Sequence, residues 1–170
     1  MPGTVFIDAD ACPVKSETLS TARSRGWRVV FVANESQSLA KYVGRNGVEV
    51  VQVGTGRDSA DFAVVERLSP GDVVVTQDTG LAAMVLGRGA HALSPRGRIF
   101  QLAAIDAELA VRHAEQKLRR AGGRTRGPAP FTDEDREDFT DALERLLAQT
   151  GDSRRDAAEV PDPEASATRD

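Results

Sequence analysis

Thr4-Val5-Phe6-Ile7-Asp8-Ala9-Asp10 is the stretch on which the reading of this chain turns: a short β-branched and aromatic run that ends in two aspartates one residue apart. The same grammar returns at Asp72 to Thr76, where a Val-rich run is followed by Asp78. Two more runs, Trp27 to Ala33 and Val48 to Val53, are nearly continuous Val and Phe with little polar alternation. Strands covered on both faces read this way, and such strands are usually parallel. In an open parallel sheet the carboxyl ends of the strands face one crevice, so acids placed there converge however far apart they lie in sequence.

Between the runs the spacing predicts helices at Pro13 to Arg25, Gln37 to Arg45, Ser59 to Leu68 and Thr79 to Arg88. Pro13 suits a first helical turn, where its missing N–H has no partner to lose, and Gly26 suits a stop. Alternating strand and helix predicts right-handed crossovers in an α/β layered domain. A short fifth strand at Ala90 to Leu93, closed by Pro95 and Gly97, is expected at an edge. Two further helices are expected in the second half. Asp106 to Arg120 carries Leu109, His113 and Leu118 at helical spacing before Gly122 and Gly123 break it. Thr132, with Asp135 three residues on, approximates a capping box and opens the other, whose apolar face is Phe139, Leu143, Leu146 and Leu147.

At 170 residues the chain fits one domain, expected over residues 1–150 and including the C-terminal helices. Residues 151–170 are Asp, Glu, Arg, Ala and Pro with little to bury, so a disordered tail is expected there. The formal net charge of -4 gives no global attraction for nucleic acid or anionic membrane, and any such contact needs a local basic patch. The Arg-rich stretch from Arg112 to Arg126 is the candidate, with Arg119 and Arg120 as substrate contacts. A single cysteine, Cys12, excludes an internal disulfide and a multi-cysteine zinc site. No stretch reads as a signal peptide or a membrane span, so a soluble, cytoplasmic protein is expected.

Asp8, Asp10, Asp58, Asp61 and Asp78 are the candidate metal ligands. Asp58 and Asp61 come after the third strand, across Gly54-Thr55-Gly56-Arg57, and sit three apart at a helix start, on one face. Carboxylates within about 4 Å repel by about 4 kcal/mol per pair at an effective dielectric near 20, so a cation or raised pKa values must relieve them. All-oxygen ligands favour Mg²⁺ or Mn²⁺, which lower the pKa of bound water and stabilise both oxygens of a phosphodiester displacement. The plain alternative is helix capping, since Asp8, Asp10, Asp58 and Asp78 each precede a helix.

Lys15, after Asp10, is placed to meet a phosphate or pair with the acids, and Asn34 ends the second strand where it could hydrogen-bond substrate. Gly54-Thr55-Gly56 lacks the Gly-Lys-Ser/Thr of a phosphate loop. Cys12 is expected to be a buried, inert thiol, and Trp27 and Phe31 core residues.

The run Phe6-Ile7-Asp8-Ala9-Asp10-Ala11-Cys12-Pro13-Val14-Lys15 resembles the opening of the YaiI/YqxD family, bacterial proteins with a PIN-like domain. Val32-Ala33-Asn34, Asp58-Ser59-Ala60-Asp61, Thr76-Gln77-Asp78 with Leu81-Ala82-Ala83, and Pro95-Arg96-Gly97 match in order. Gly127-Pro128-Ala129-Pro130-Phe131, leading into Asp135-Arg136 and Phe139, extends the resemblance to about residue 147. One departure is Ala104-Ile105 where the pattern has Asn-Ile. The resemblance implies a PIN-like three-layer α/β domain with a mostly parallel sheet of about five strands. PIN-like domains include many metal-dependent nucleases, and the likeness places the acids of the first strand at Asp8 and Asp10, of the helix at Asp61 with Asp58, and of the fourth strand at Asp78.

The expected function is a Mg²⁺- or Mn²⁺-dependent nuclease, RNA favoured, with Asp8, Asp10, Asp61 and Asp78 as its catalytic acids. Two alternatives stand beside it. One is a non-catalytic, metal-stabilised module that binds RNA or a protein partner. The other is a haloacid-dehalogenase-like phosphatase with Asp8 as nucleophile, which would want Ser or Thr where the second strand ends in Asn34.

Overall fold

A computed structural model describes residues 2–10, 12–34, 39–127 and 129–158. The elements run β1 (Thr4–Asp8), α1 (Lys15–Ser24), β2 (Arg28–Asn34), β3 (Val48–Val53), α2 (Ser59–Arg67), β4 (Val73–Val75), α3 (Thr79–Gly87), β5 (His91–Leu93), α4 (Leu102–Arg120) and α5 (Asp133–Ala158), with a 3₁₀ turn at Ala40–Tyr42. The five strands form one sheet in the order β3-β2-β1-β4-β5. Every neighbouring pair is parallel. The α/β architecture with a five-stranded parallel sheet is therefore as expected, and β5 lies at an edge.

Strand periodicity divides the core into two. Val5, Ile7, Val29, Phe31, Val73 and Val75 face α1 and α5, together with Phe139, Leu143 and Leu147. Phe6, Val30, Val32 and Val74 face the other way, against Val64, Leu81, Val85 and Ile105 of α2, α3 and α4. Both faces of β1, β2 and β4 are covered, which is why these strands carry little polar alternation, whereas β3, at an edge, holds exposed Glu49 and Gln52. Trp27 and Phe31 are buried in the core. Because β1 is central and the chain leaves it first toward β2 and β3, then returns to β4 and β5, the topology switches direction between β1 and β4. The crevice beyond the carboxyl ends of those two strands is where a ligand site is expected.

Several local expectations change. Pro13 stands before α1, not in its first turn: Val14 is the N-cap residue and Lys15 the first helical one. The Pro13 carbonyl accepts a hydrogen bond from Arg136 Nη1 at 2.7 Å, which fixes it outside the helix. Gly26 does end α1, at φ +71, with the Trp27 amide returning to the Ala22 carbonyl. Gln37 and Ser38 of the expected second helix lie outside the described residues, and its remainder forms only the Ala40–Tyr42 turn. Gly44 and Gly47, both at positive φ, break the chain there.

α4 begins at Leu102, earlier than expected, and its buried residue is Ile105, with Leu109 partly buried. Leu118 and His113 are both exposed on the surface of α4. Thr132 and Asp135 form the anticipated reciprocal cap, the Asp135 amide reaching Thr132 Oγ1 at 3.1 Å and the Thr132 amide reaching Asp135 Oδ2 at 2.9 Å.

The tail expectation is corrected over residues 151–158, which continue α5. The cause is tertiary. Arg154 donates to Asp72 Oδ1 at 3.0 Å and to the Pro70 carbonyl at 2.7 Å, satisfying a carboxylate whose side chain is only 5% exposed. A Cβ on Gly3 or Gly71 would stand 2.7 or 2.9 Å from that guanidinium. Residues 159–170 of the expected tail lie outside the described residues. Among the described residues no helix is long and apolar enough to cross a membrane.

Candidate active site

Asp8 is the last residue of β1 and, by strand alternation, shares the side of Phe6, toward α2 and α3. Ile7 of β1 pairs with Val75 of β4, so the next residues, Asp8 and Thr76, lie abreast, and Thr76 Oγ1 donates to Asp8 Oδ2 at 3.3 Å. Beyond the strand ends Asp8, Asp10 and Asp78 line one cavity of about 300 Å³, with Cys12, Thr76 and Gln77. Asp61 reaches the same region from the first turn of α2 and acts electrostatically on Asp8.

The charges record this convergence. Burial, followed by the neighbouring charges of Asp61 and Asp10, pushes the Asp8 carboxyl up to about 6; Asp78 adds to the effect and the Thr76 hydrogen bond opposes it. Burial and then Asp78 and Asp58 push Asp61 up to about 6, with Arg112 opposing. Oδ1 of Asp10 is buried and has no hydrogen-bond partner, the one such side-chain atom among the described residues. An unpartnered buried carboxylate oxygen is expensive and asks for a cation, a proton or a donor.

Asp78 is different. Burial raises it, but the Arg112 hydrogen bond, the Leu81 and Gly80 amides and the Arg112 charge together outweigh burial and hold the carboxyl below its usual range. Arg112 Nη1 lies 2.6 Å from Asp78 Oδ1, and Nη2 lies 3.5 Å from Oδ2. Gly80 leaves room for this pair, since a Cβ there would be 3.1 Å from both Arg112 Nη1 and Asp78 Oδ1. Asp78 also caps α3, accepting from the Gly80 amide at 2.8 Å and the Leu81 amide at 3.2 Å.

The capping alternative thus accounts for Asp78 alone. Asp58 occupies the N-cap position of α2 but makes no side-chain capping bond, and it sits in the left-handed region at φ +60. The residue capping α1 is Val14, so neither Asp8 nor Asp10 serves there. None of these three acids caps a helix, and Asp58 holds a strained backbone as well.

An all-oxygen set with an orphaned carboxylate oxygen fits a hard divalent ion in its chemistry. In this arrangement no group of three or more His, Cys, Asp or Glu among the described residues is gathered into a ready cage. Asp78 lines the cavity, with its carboxyl already engaged by Arg112 and the α3 amides.

Other candidates fall at varying distances. Lys15 donates through Nζ to the Cys12 carbonyl at 3.0 Å, closing the turn before α1, and does not line the acidic cavity. Asn34 ends β2, two residues beyond the Val32 that pairs with Asp8, on the same sheet edge. Arg119 and Arg120 are exposed in the last turn of α4, about two helical turns past Arg112. The buried Cys12 thiol is pushed up by desolvation, as expected of an inert residue. Arg112 and Thr76 are the site residues that sequence reading did not single out. Arg112 was visible only as one member of a basic stretch, because its partner lies 34 residues away on another helix.

The remaining motif residues are fasteners. Arg96 binds Asp135 at 2.8 Å and the Ala129 carbonyl, and its guanidinium lies over Phe131. Arg136, on the same ring, binds Glu17 at 2.9 Å. Together they tie the start of α5 to α1 and to the loop after β5. At Gly97, φ +88, a Cβ would stand 2.6 Å from the Asp138 carbonyl oxygen, so this loop needs glycine to approach α5.

The chain is 42% identical over 148 residues to a UPF0178 protein of Exiguobacterium sibiricum, covering 87% of this chain and 99% of the relative. It is 43% identical over 144 residues to a UPF0178 protein of Shouchella clausii, covering 85% of this chain and 92% of the relative. A solved structure of Rae1 (YacP) from Bacillus subtilis aligns over 86% of this chain and 98% of its own at 17% identity, with a TM-score of 0.40, too remote to carry an inference. A family model described as "Uncharacterized BCR, YaiI/YqxD family" matches residues 6–149, and with these relatives it establishes that the chain belongs to the YaiI/YqxD family.

Proposed function

We propose that this protein is a Mg²⁺- or Mn²⁺-dependent nuclease, with RNA the favoured substrate. The observation that carries the reading is the set Asp8, Asp10 and Asp61 at the carboxyl edge of the sheet: two carboxyls raised to about 6 and a third with a buried, unpartnered oxygen. Structural acids are usually satisfied; acids held in mutual repulsion at a topological switch point are characteristic of function. Asp8, Asp10 and Asp61 would hold the ion, with Asp78 joining and Asp58 supporting. When bound, the ion would supply an activated water and neutralise charge on a phosphodiester.

The chain's own residues do the rest. Thr76 fixes the rotamer of Asp8 by its hydrogen bond, keeping one carboxylate edge aimed into the cavity. Arg112 lines a neighbouring groove that shares Gln77 and Asp78 with this cavity; its Nη1 and Nη2 face Asp78, and its remaining N–H donors could take a phosphate oxygen of a strand lying in that groove. Arg119 and Arg120, farther along α4, would meet the strand outside the site.

Purified protein with Mn²⁺ is expected to nick a single-stranded RNA, and Asp8→Asn to abolish the cleavage. Equal cleavage by both proteins would refute the assignment. A second reading draws on the Arg112–Asp78 pair, which already neutralises one acid: a module that binds RNA without cutting it. Binding with a steep salt dependence, no cleavage, and no change on replacing Asp78 would favour that reading.

A further inference from the structure

We propose that the concavity between α1 and the Ala40–Tyr42 turn is a second binding site, for a phosphate-bearing ligand. Its volume is about 450 Å³, and three cations, Arg23, Lys41 and Arg45, line it with the hydroxyl residues Ser16 and Ser20. Among the described residues no acid lines it, in a chain with 26 acidic residues against 22 Lys and Arg. Of the acids that flank it in sequence, Glu17 is engaged with Arg136 at 2.9 Å and Glu49 with Arg28 at 3.4 Å, while Glu35 lies outside the described residues. Among the described residues none of the three cations has a salt-bridge partner.

The cations are also pre-placed. Tyr42 is buried and stacks on Phe31 of β2, ring centroids 4.4 Å apart, so it is anchored to the sheet. Lys41 Nζ lies 5.0 Å from the centre of that ring and the Arg45 guanidinium 5.6 Å from it, which holds both heads against an apolar wall. Arg23 faces them from the last turn of α1. Like charges gathered around a concave, partly apolar surface with hydroxyl donors match an anion carrying several oxygen acceptors, and phosphate is the group that takes both Arg and Lys. This cavity shares no residue with the acidic one, so the proposal does not depend on the nuclease reading.

The test is a calorimetric titration of the full chain in low salt, with divalent ions chelated so that no cleavage intervenes, using pyrophosphate and a short single-stranded oligoribonucleotide as probes. Comparison is with Arg23→Ala/Lys41→Ala/Arg45→Ala, and with Lys41→Arg/Arg45→Lys, which keeps the charges. All three substituted side chains are exposed, and circular dichroism checks the fold. Affinity is expected to fall by roughly tenfold or more in the triple variant and to persist in the charge-keeping one, with the salt slope for the oligonucleotide shallower by about 2. Binding of both probes identifies a small phosphate ligand. Binding of the oligonucleotide alone identifies strand phosphates. Failure of both probes to bind the wild type, or undiminished affinity in the triple variant, overturns the proposal.

Discussion

The Arg112 guanidinium sits 2.6 Å from Asp78 Oδ1, so the acidic site carries a cation of its own, delivered by a helix that is otherwise largely exposed. That cation offsets part of the negative charge while leaving Asp8 and Asp61 raised. It also competes with any ion that would use Asp78. Arg112→Gln is therefore expected to bind Mn²⁺ several-fold more tightly than the wild type, as measured by calorimetry. Weaker Mn²⁺ binding in the variant would mean that Arg112 organises the acids instead of competing with an ion for them.

The raised carboxyls set a pH dependence. Asp8 and Asp61 stand at about 6 when folded, against 3.8 as the ordinary value. Between those values the native state holds more protons than the unfolded one, so stability falls as pH rises through the window and is greatest toward its acid end. Asp78, held low, acts with the opposite sign, but only below its ordinary value. Without divalent ions the protein should melt at a higher temperature near about pH 5 than near about pH 7.5, and Asp8→Asn should flatten the difference by raising the neutral-pH value. His91, held low by burial and by the Arg154 charge, pulls the other way over the same window, so the deciding comparison is the change on Asp8→Asn: a difference between the two pH values that this substitution leaves unmoved would show that the repulsion is absent.

Asp78 has two duties that substitution can separate. Asp78→Ala removes the α3 cap as well as the Arg112 partner and is expected to cost about 1–2 kcal/mol of stability by denaturant titration. Asp78→Asn retains an acceptor for the Gly80 and Leu81 amides and should cost clearly less, while losing the charge available to an ion. Equal losses for the two variants would indicate that the Arg112 ion pair, not the cap, carries the stability.

Arg154 is expected to matter although it lies beyond Gly151. Arg154→Ala leaves the buried Asp72 carboxylate with only the Thr4 and Ser69 amides and should cost roughly 2 kcal/mol, a charge-assisted hydrogen bond in a shielded place. Ending the chain at residue 150 should do at least the same. An unchanged denaturation midpoint for both would show that α5 stabilises the domain only through Phe139 to Leu147.

That residue also marks where sequence reading stopped. β1, β2 and β4 were legible because strands buried on both faces leave nearly unbroken apolar runs, β3 because its Val residues dominate even with Glu49 and Gln52 exposed, and the Thr132–Asp135 cap because its partners are three residues apart. Residues 151–158 looked unfoldable from composition, since the feature that orders them is an ion pair between Arg154 and Asp72, 82 residues apart. The convergence of Asp8, Asp10 and Asp61 was anticipated from their positions at a strand end and a helix start. Arg112 was hidden, because a basic run names no individual partner until α3 and α4 are packed together. Pro13 misled because its ring suits a first helical turn equally well as the position just outside it, where it stands with its carbonyl taking Arg136.

The most direct measurement of the central claim, that Asp8, Asp10 and Asp61 are gathered to take a divalent ion, is unfolding free energy with and without Mn²⁺ for the wild type and Asp8→Asn/Asp61→Asn. At a free Mn²⁺ concentration about 100 times its dissociation constant, the wild type is expected to gain about 2.7 kcal/mol and the double variant to gain little. The same gain in both proteins, or none in the wild type, would contradict it.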